Sequence, residues 1–238
     1  MEDQVLDIKG VGVTFFRSNR VKRLNITIKP LIGVRVSVPP FVSFKKAKQA
    51  TEQRINWIKT HLSKMKKAED LFTIFNLDTK FQTRAHRLEM KFSSKDSLRF
   101  IVRNNKIVVK IPLSNKIGDV EVQNEIRKAI ESAWRKEAKD YLPLRVKKLA
   151  EKHNFEYKSV AIKNAKTRWG SCSFINNINL NLHLMRLPDH LIDYVILHEL
   201  VHTKIKNHSI DFWQLLDVVC GNAKKLDREV KEYKIEIY

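Results

Sequence analysis

Cysteine is nearly absent from this chain, with only Cys172 and Cys220 in 238 residues. Two thiols cannot build a disulfide framework, and their separation is unlike the paired spacing of a zinc ribbon or finger. Both are read as reduced, structural side chains. No window approaches the run of about 18 to 20 apolar residues that a membrane helix needs, and the first residues, MEDQVLDIKG, lack the basic-then-apolar order of a signal peptide. The expectation is a cytoplasmic chain with no membrane contact. Repeats and low-complexity linkers are lacking as well, while 43% of the residues are hydrophobic, enough to bury a core.

Acidic residues are also in short supply, 26 Asp and Glu against 46 Lys and Arg, for a net charge of +20. The imbalance is uneven: residues 1–120 carry +15 and residues 121–238 carry +5. Such a field favours polyanions, so nucleic acid is a candidate partner of the N-terminal half. A solvated lysine-rich surface explains the same charge, and no RNA-recognition or helix-turn-helix motif accompanies it.

Hydrophobic periodicity sets out the elements. Leu24, Ile26 and Ile28 alternate with polar residues, as do Val34, Val36 and Val38, which predicts a β-hairpin turning at 30–33 and ending at Pro39 and Pro40. From Ser43 to about Lys67 the pattern is helical and basic, with Ile55, Trp57, Ile58 and Leu62 as its buried stripe. HRLEMKF, SLRFIVR and KIVVKIP read as strands, the last two joined by a turn at Asn104 and Asn105. One long helix follows to about His153, burying Ile126, Ile130, Trp134, Ala138, Leu142 and Leu149, with Pro143 expected to kink or divide it. The composition changes near 115. Residues 1–115 form a basic, β-rich region with one helix and residues 116–238 a second region, unless the two make one continuous domain.

Ile178, Leu180, Leu182 and Leu184 alternate with Asn179, Asn181 and His183, predicting a strand with one apolar and one polar face. Asn176 and Asn177 suit the tight turn that pairs it with RWGSCSF. The polar face is read as facing solvent, with lining a cleft as the alternative. Pro188 and Asp189 then open a helix whose residues Leu191, Ile192, Val195, Ile196, Leu197, Leu200 and Val201 leave it little exposed surface.

That buried helix runs into HELVHTKIKNHS, residues 198–209, which holds three of the eight histidines. His198 and His202 are four apart, so their imidazoles share one helix face and can grip one ion. Glu199 is offset by about 100 degrees and sits beside that ion. This is the H-E-x-x-H arrangement, in which two histidines hold zinc and the glutamate takes a proton from water. A catalytic zinc takes three protein ligands, and His208 is the candidate third, carried back by a left-handed turn at Asn207, with Ser209 capping a last helix. By chance the motif with its third histidine arises in roughly one sequence in two thousand. His183 and His190 are read as surface or satisfied core residues, Cys172 as a small buried hydrophobe, and Trp169, Phe212 and Trp213 as core or cleft-wall aromatics. Arg168 is a surface cation or binds a substrate carboxylate or carbonyl.

The segments TRWGSCS, INLNLHLMRLPDHLIDYVILHELVH and NHSIDFW resemble the YgjP-like metallopeptidase family, relatives of the WLM and SprT-like zinc peptidases. The resemblance is dense over 135–233 and looser over RSNRVKRLNITIKP and VRVSVPP. It implies that His198, His202 and His208 bind Zn2+ and that Glu199 is catalytic. Metzincin peptidases share the histidine spacing but have glycine where this chain has Ile205, and relatives often have glycine in the turn occupied by Asn176 and Asn177. The implied fold is α+β, with N-terminal β-hairpins and a basic helix ahead of a zincin-like metallopeptidase region whose β-hairpin lies next to the HExxH helix. The expected function is zinc-dependent peptide hydrolysis on protein or peptide substrates. Nucleic-acid-associated proteins are candidate targets, since SprT-like and WLM relatives include proteases that act on DNA-bound proteins. The alternative is a zinc-stabilised nucleic-acid-binding or adaptor protein.

Overall fold

The computed structural model describes residues 3–29, 33–69 and 73–235. The chain forms two compact units, Met1–Thr73 and Ile74–Glu236, each built around its own sheet or sheets.

In the first unit, strands β1 (Gln4–Asp7), β2 (Gly12–Arg17), β3 (Asn25–Lys29) and β4 (Gly33–Val38) form a sheet in the order β1-β2-β4-β3. The hairpin of β3 and β4 is as expected, pairing Ile26 with Val36 and Ile28 with Val34; its turn at 30–32 lies outside the described residues. β1 and β2 were not foreseen, although Val11, Val13 and Phe15 alternate and are all buried. The basic segment is two helices, α1 (Phe44–Gln53) and α2 (Ile55–Glu69), and not one. Thr51 is buried and its hydroxyl donates to the Ala47 carbonyl at 2.8 Å, while the Arg54 N–H reaches back to Thr51 at 3.0 Å. Such back-bonding bends a helix, and the three-residue reach ends it. Ala47, Ile55 and Ile58 are buried in the core formed with Val13, Phe15, Val34, Val36 and Val38, and Leu62 packs against it. Trp57, expected in that stripe, is 47% exposed.

The second unit opens with β5 (Arg87–Ser93), β6 (Arg99–Arg103) and β7 (Lys106–Pro112), in the order β5-β7-β6. Asn104 and Asn105 both have positive φ, 51° and 56°, the geometry of the tight turn that joins two antiparallel strands. Strands β6 and β7 pack on α3 (Val120–His153), so this sheet groups with the C-terminal half and the division falls ahead of residue 115. All six apolar residues expected along α3 are buried. The helix continues through Pro143 undivided.

Strands β8 (Ser159–Lys163), β9 (Gly170–Cys172) and β10 (Asn177–Asn181) make a third sheet with β10 in the middle. Asn176 supplies the positive φ of the β9–β10 turn, at 62°, and Asn177 is already strand. β10 stops at Asn181, and Leu182–Arg186 form a 3-10 turn, shorter than the strand expected through Leu184. The cause is Asn181 itself, whose Oδ1 accepts the His183 N–H at 3.1 Å, a local bond that competes with the ladder. Helices α4 (Asp189–Val201), α5 (Ile210–Cys220) and α6 (Ala223–Glu232) complete the unit. The fold class is α+β, and among the described residues no helix is long and apolar enough to cross a membrane.

Candidate active site

Helix α4 positions the site because it is apolar nearly all round and so is buried. Leu191, Ile192, Val195, Ile196, Leu197, Leu200 and Val201 are all below the surface, and α4 packs on β9, β10, α3, α5 and α6. Its last turn tightens: the Thr203 N–H bonds to Leu200 at 2.9 Å and the Lys204 N–H to Val201 at 3.0 Å. His202 therefore stays on the face of His198, with ring centroids 5.0 Å apart.

The return to His208 differs from the expected route. Asn207 has no left-handed backbone; its Oδ1 accepts the Ser209 N–H at 3.3 Å, a side-chain turn in place of a positive φ. Ser209 starts α5 without a side-chain cap. The carbonyl of Ile205 accepts from His202 Nδ1 at 2.9 Å. A carbonyl only accepts, so Nδ1 carries the proton and the lone pair is on Nε2.

The three Nε2 atoms converge. His208 Nε2 lies 3.1 Å from that of His198 and 3.2 Å from that of His202, and all three fall within 4.8 Å of one another. Imidazole nitrogens about 2.0–2.1 Å from a tetrahedral ion stand roughly 3.3 Å apart, so these separations fit one ion of that size. The ring of Phe212, wholly buried, lies 4.9, 4.5 and 4.7 Å from the three imidazoles and forms their common floor. Burial first, and the neighbouring imidazoles second, lower the His198 pKa to about 4; His202 is lowered mainly by burial. Neutral imidazole is the form that binds metal.

Glu199 is 5% exposed. Burial raises its carboxyl to about 8, against a smaller opposing pull from the Arg168 charge. It lies against the backbone of β9: a Cβ placed on Gly170 would come 2.6 Å from Glu199 Oε1 and 2.7 Å from Cγ. Only glycine leaves that space. Sequence reading passed over Gly170, although a lone glycine within a strand pattern signals a close approach.

Strand β9 is an edge of its sheet, whereas β10 has partners on both sides. The sheet edge beside Glu199 is thus Gly170–Cys172. The polar face of β10 does line a cleft: Asn179 and Asn181 border a cavity of about 210 Å³ with Lys163, Arg168, Trp169 and Ser171. Asn181, 2% exposed, donates to the carbonyls of Ala165 and Arg168 at 2.7 and 2.8 Å. Lys206 donates to the Ser173 carbonyl at 3.1 Å and to Asn176 Oδ1, tying the turn before His208 to the β9–β10 hairpin.

The remaining candidates fall outside the cluster. His183 is buried, edge-on to Trp134 at 5.5 Å and bonded to Asn164. His190 is paired with Glu229 at 2.7 Å. Cys172 and Cys220 are free, half-buried thiols, both pushed up by burial, Cys220 to about 11.

No curated protein matches the chain. Among solved structures, the metallopeptidase zymogen jannalysin of Methanocaldococcus jannaschii is 28% identical, over 37% of this chain and 91% of its own, with a TM-score of 0.33. The abylysin zymogen of Pyrococcus abyssi is 24% identical, over 37% and 90%, with a TM-score of 0.34. The model of the YgjP-like metallopeptidase domain matches residues 22–233. The chain therefore belongs to the YgjP-like family and is a metallopeptidase, a metal-dependent hydrolase.

Proposed function

We propose that this metallopeptidase is zinc-dependent, that His198, His202 and His208 hold the ion and that Glu199 is the general base. The observation that carries the reading is the meeting of three Nε2 atoms at 3.1 and 3.2 Å, with one tautomer set by the Ile205 carbonyl. Three nitrogen donors leave a fourth position open, as catalytic rather than structural zinc sites do. Zinc bound there lowers the pKa of a water to about 7 and polarises a peptide carbonyl.

Glu199 takes the proton from the attacking water on its carboxylate and delivers it to the leaving amine. Burial holds its carboxyl above the usual carboxylate range, and the Arg168 charge opposes that rise. An extended substrate pairs through its backbone with the edge strand β9, whose Gly170 adjoins Glu199. Backbone pairing selects shape rather than sequence, which suits protein substrates of varied composition. The +15 charge of residues 1–120 supports nucleic-acid-associated proteins as the target class.

The test is Glu199→Gln, assayed for metal content and for cleavage of an unfolded protein. The expected result is unchanged zinc and a loss of hydrolysis of about 10²-fold or more. Full activity in that variant, or a purified protein that neither contains nor takes up zinc, overturns the assignment. Bound zinc with no hydrolysis by the wild type would instead favour a zinc-stabilised nucleic-acid-binding or adaptor protein without peptidase activity.

A further inference from the structure

The first unit carries an exposed aromatic pair within its basic two-helix segment, residues 44–61. Trp57 is 47% exposed, and the His61 ring lies over it with centroids 4.1 Å apart and planes inclined by 31°. His61 Nδ1 donates to the Trp57 carbonyl at 2.9 Å, which pins the ring in place. Arg54, exposed, stands at the junction of α1 and α2, just ahead of the first turn of α2. Residues 44–61 contain Lys45, Lys46, Lys48, Arg54 and Lys59 and one acid, Glu52. That acid is 3.9 Å from Lys48. Among the described residues no ion pair involves the other four cations.

The helix ends sharpen the pattern. Neither α1 nor α2 has an acid in its first turn, and Lys45 and Lys46 stand in that of α1. Cations there oppose the helix dipole, and an anion at this end relieves both. Phe41, 76% exposed, lies just ahead of α1.

We infer that this surface binds single-stranded nucleic acid, with unpaired bases stacking on Trp57 and His61 and phosphates held by the lysines and Arg54. A membrane surface fits less well, because the apolar faces of both helices are used by the core through Ala47, Ile55 and Ile58. A lipid-binding helix needs that face free. Duplex hides its bases from a flat ring, whereas a single strand offers them. The inference rests on the reading above only for its link to peptide cleavage, since binding is measured without turnover.

The test uses the full chain and fluorescein-labelled oligo-dT of about 20 nucleotides, followed by anisotropy between about 50 and 200 mM salt. The wild type binds with an affinity that falls steeply with salt. Trp57→Ala weakens binding about tenfold or more with little change in salt slope, and Trp57→Phe restores most of it. Lys45→Gln with Lys46→Gln lowers the slope. Absence of salt-sensitive binding, equal affinity in Trp57→Ala, or preference for duplex or for phosphatidylserine vesicles overturns the inference. Peptide hydrolysis by Trp57→Ala stays at the wild-type level. A wild type that hydrolyses peptide but shows no salt-sensitive oligonucleotide binding sinks this inference alone; intact binding in a wild type that cleaves nothing sinks the peptidase reading alone.

Discussion

Glu199 and Gly170 are in contact across the space where any other residue would carry a side chain, with a virtual Cβ 2.6 Å from the carboxylate. The carboxylate of α4 and the edge of β9 are therefore placed by one another.

Gly170→Ala should displace Glu199 and little else. The added methyl meets Glu199 Oε1, Cγ and Cδ within 2.9 Å. A displacement of about 1 Å in a catalytic group costs on the order of 100-fold in rate. The expected outcome is a loss of that size in kcat/KM with zinc content unchanged. Wild-type kinetics in this variant would show that the carboxylate position is immaterial.

His208 is the exposed member of the triad and comes from the turn, not from the helix. His208→Ala leaves two imidazoles, too few for a stable catalytic site. Zinc at saturating excess over its Kd should raise the wild-type Tm by about 5 °C or more. That rise should vanish in His208→Ala while the metal-free Tm changes little. An undiminished shift would place the third donor elsewhere.

Phe212 is wholly buried and touches all three imidazoles. Phe212→Ala opens a cavity under them and should cost about 3–5 kcal/mol in chemical denaturation. Zinc affinity should fall as well, because the rings lose their common floor. Phe212→Leu should recover most of both. A variant that loses stability yet binds zinc as tightly as wild type would limit Phe212 to packing.

His183 gives a pH dependence that is separate from the triad. Burial lowers its folded-state pKa to about 4, with the Arg186 and Arg135 charges adding to the effect, against about 6.5 unfolded. The unfolded chain takes up the proton first, so stability is complete above about pH 6.5 and declines as pH falls toward 4. The full loss is on the order of 3 kcal/mol. Urea titrations of wild type and His183→Gln should differ in slope within that window. Parallel curves would contradict it.

Much of this architecture is legible in side-chain spacing. The hairpin of Ile26, Ile28, Val34 and Val36, the long helix through Trp134, and the apolar run into His198 each show the period of a buried face. Spacing failed where a single local bond decided the outcome. Asn181 ends its strand by accepting the His183 N–H on its side chain, so Leu182 and Leu184 are buried from a 3-10 turn rather than from a ladder. Trp57 fits the helical stripe by position, but the core closes over Ile55 and Ile58 without it. Gly170 offers no side chain to read; its meaning lies in a neighbour 29 residues downstream. The three histidines and Glu199 stand out in the sequence as a pattern that metal chemistry uses, whereas the turn before His208 rests on local bonds of the 202–209 segment, the Asn207 side chain among them.

The Ile205 carbonyl carries a consequence of that kind. Because a main-chain oxygen selects the tautomer of His202, position 205 is open to substitution: isoleucine, valine or alanine presents the same acceptor. Neutral drift at this residue leaves the imidazole aimed as before. A residue inserted or deleted between His202 and His208 moves the oxygen itself, so the chain is more sensitive there to a change in length than to a change in letter.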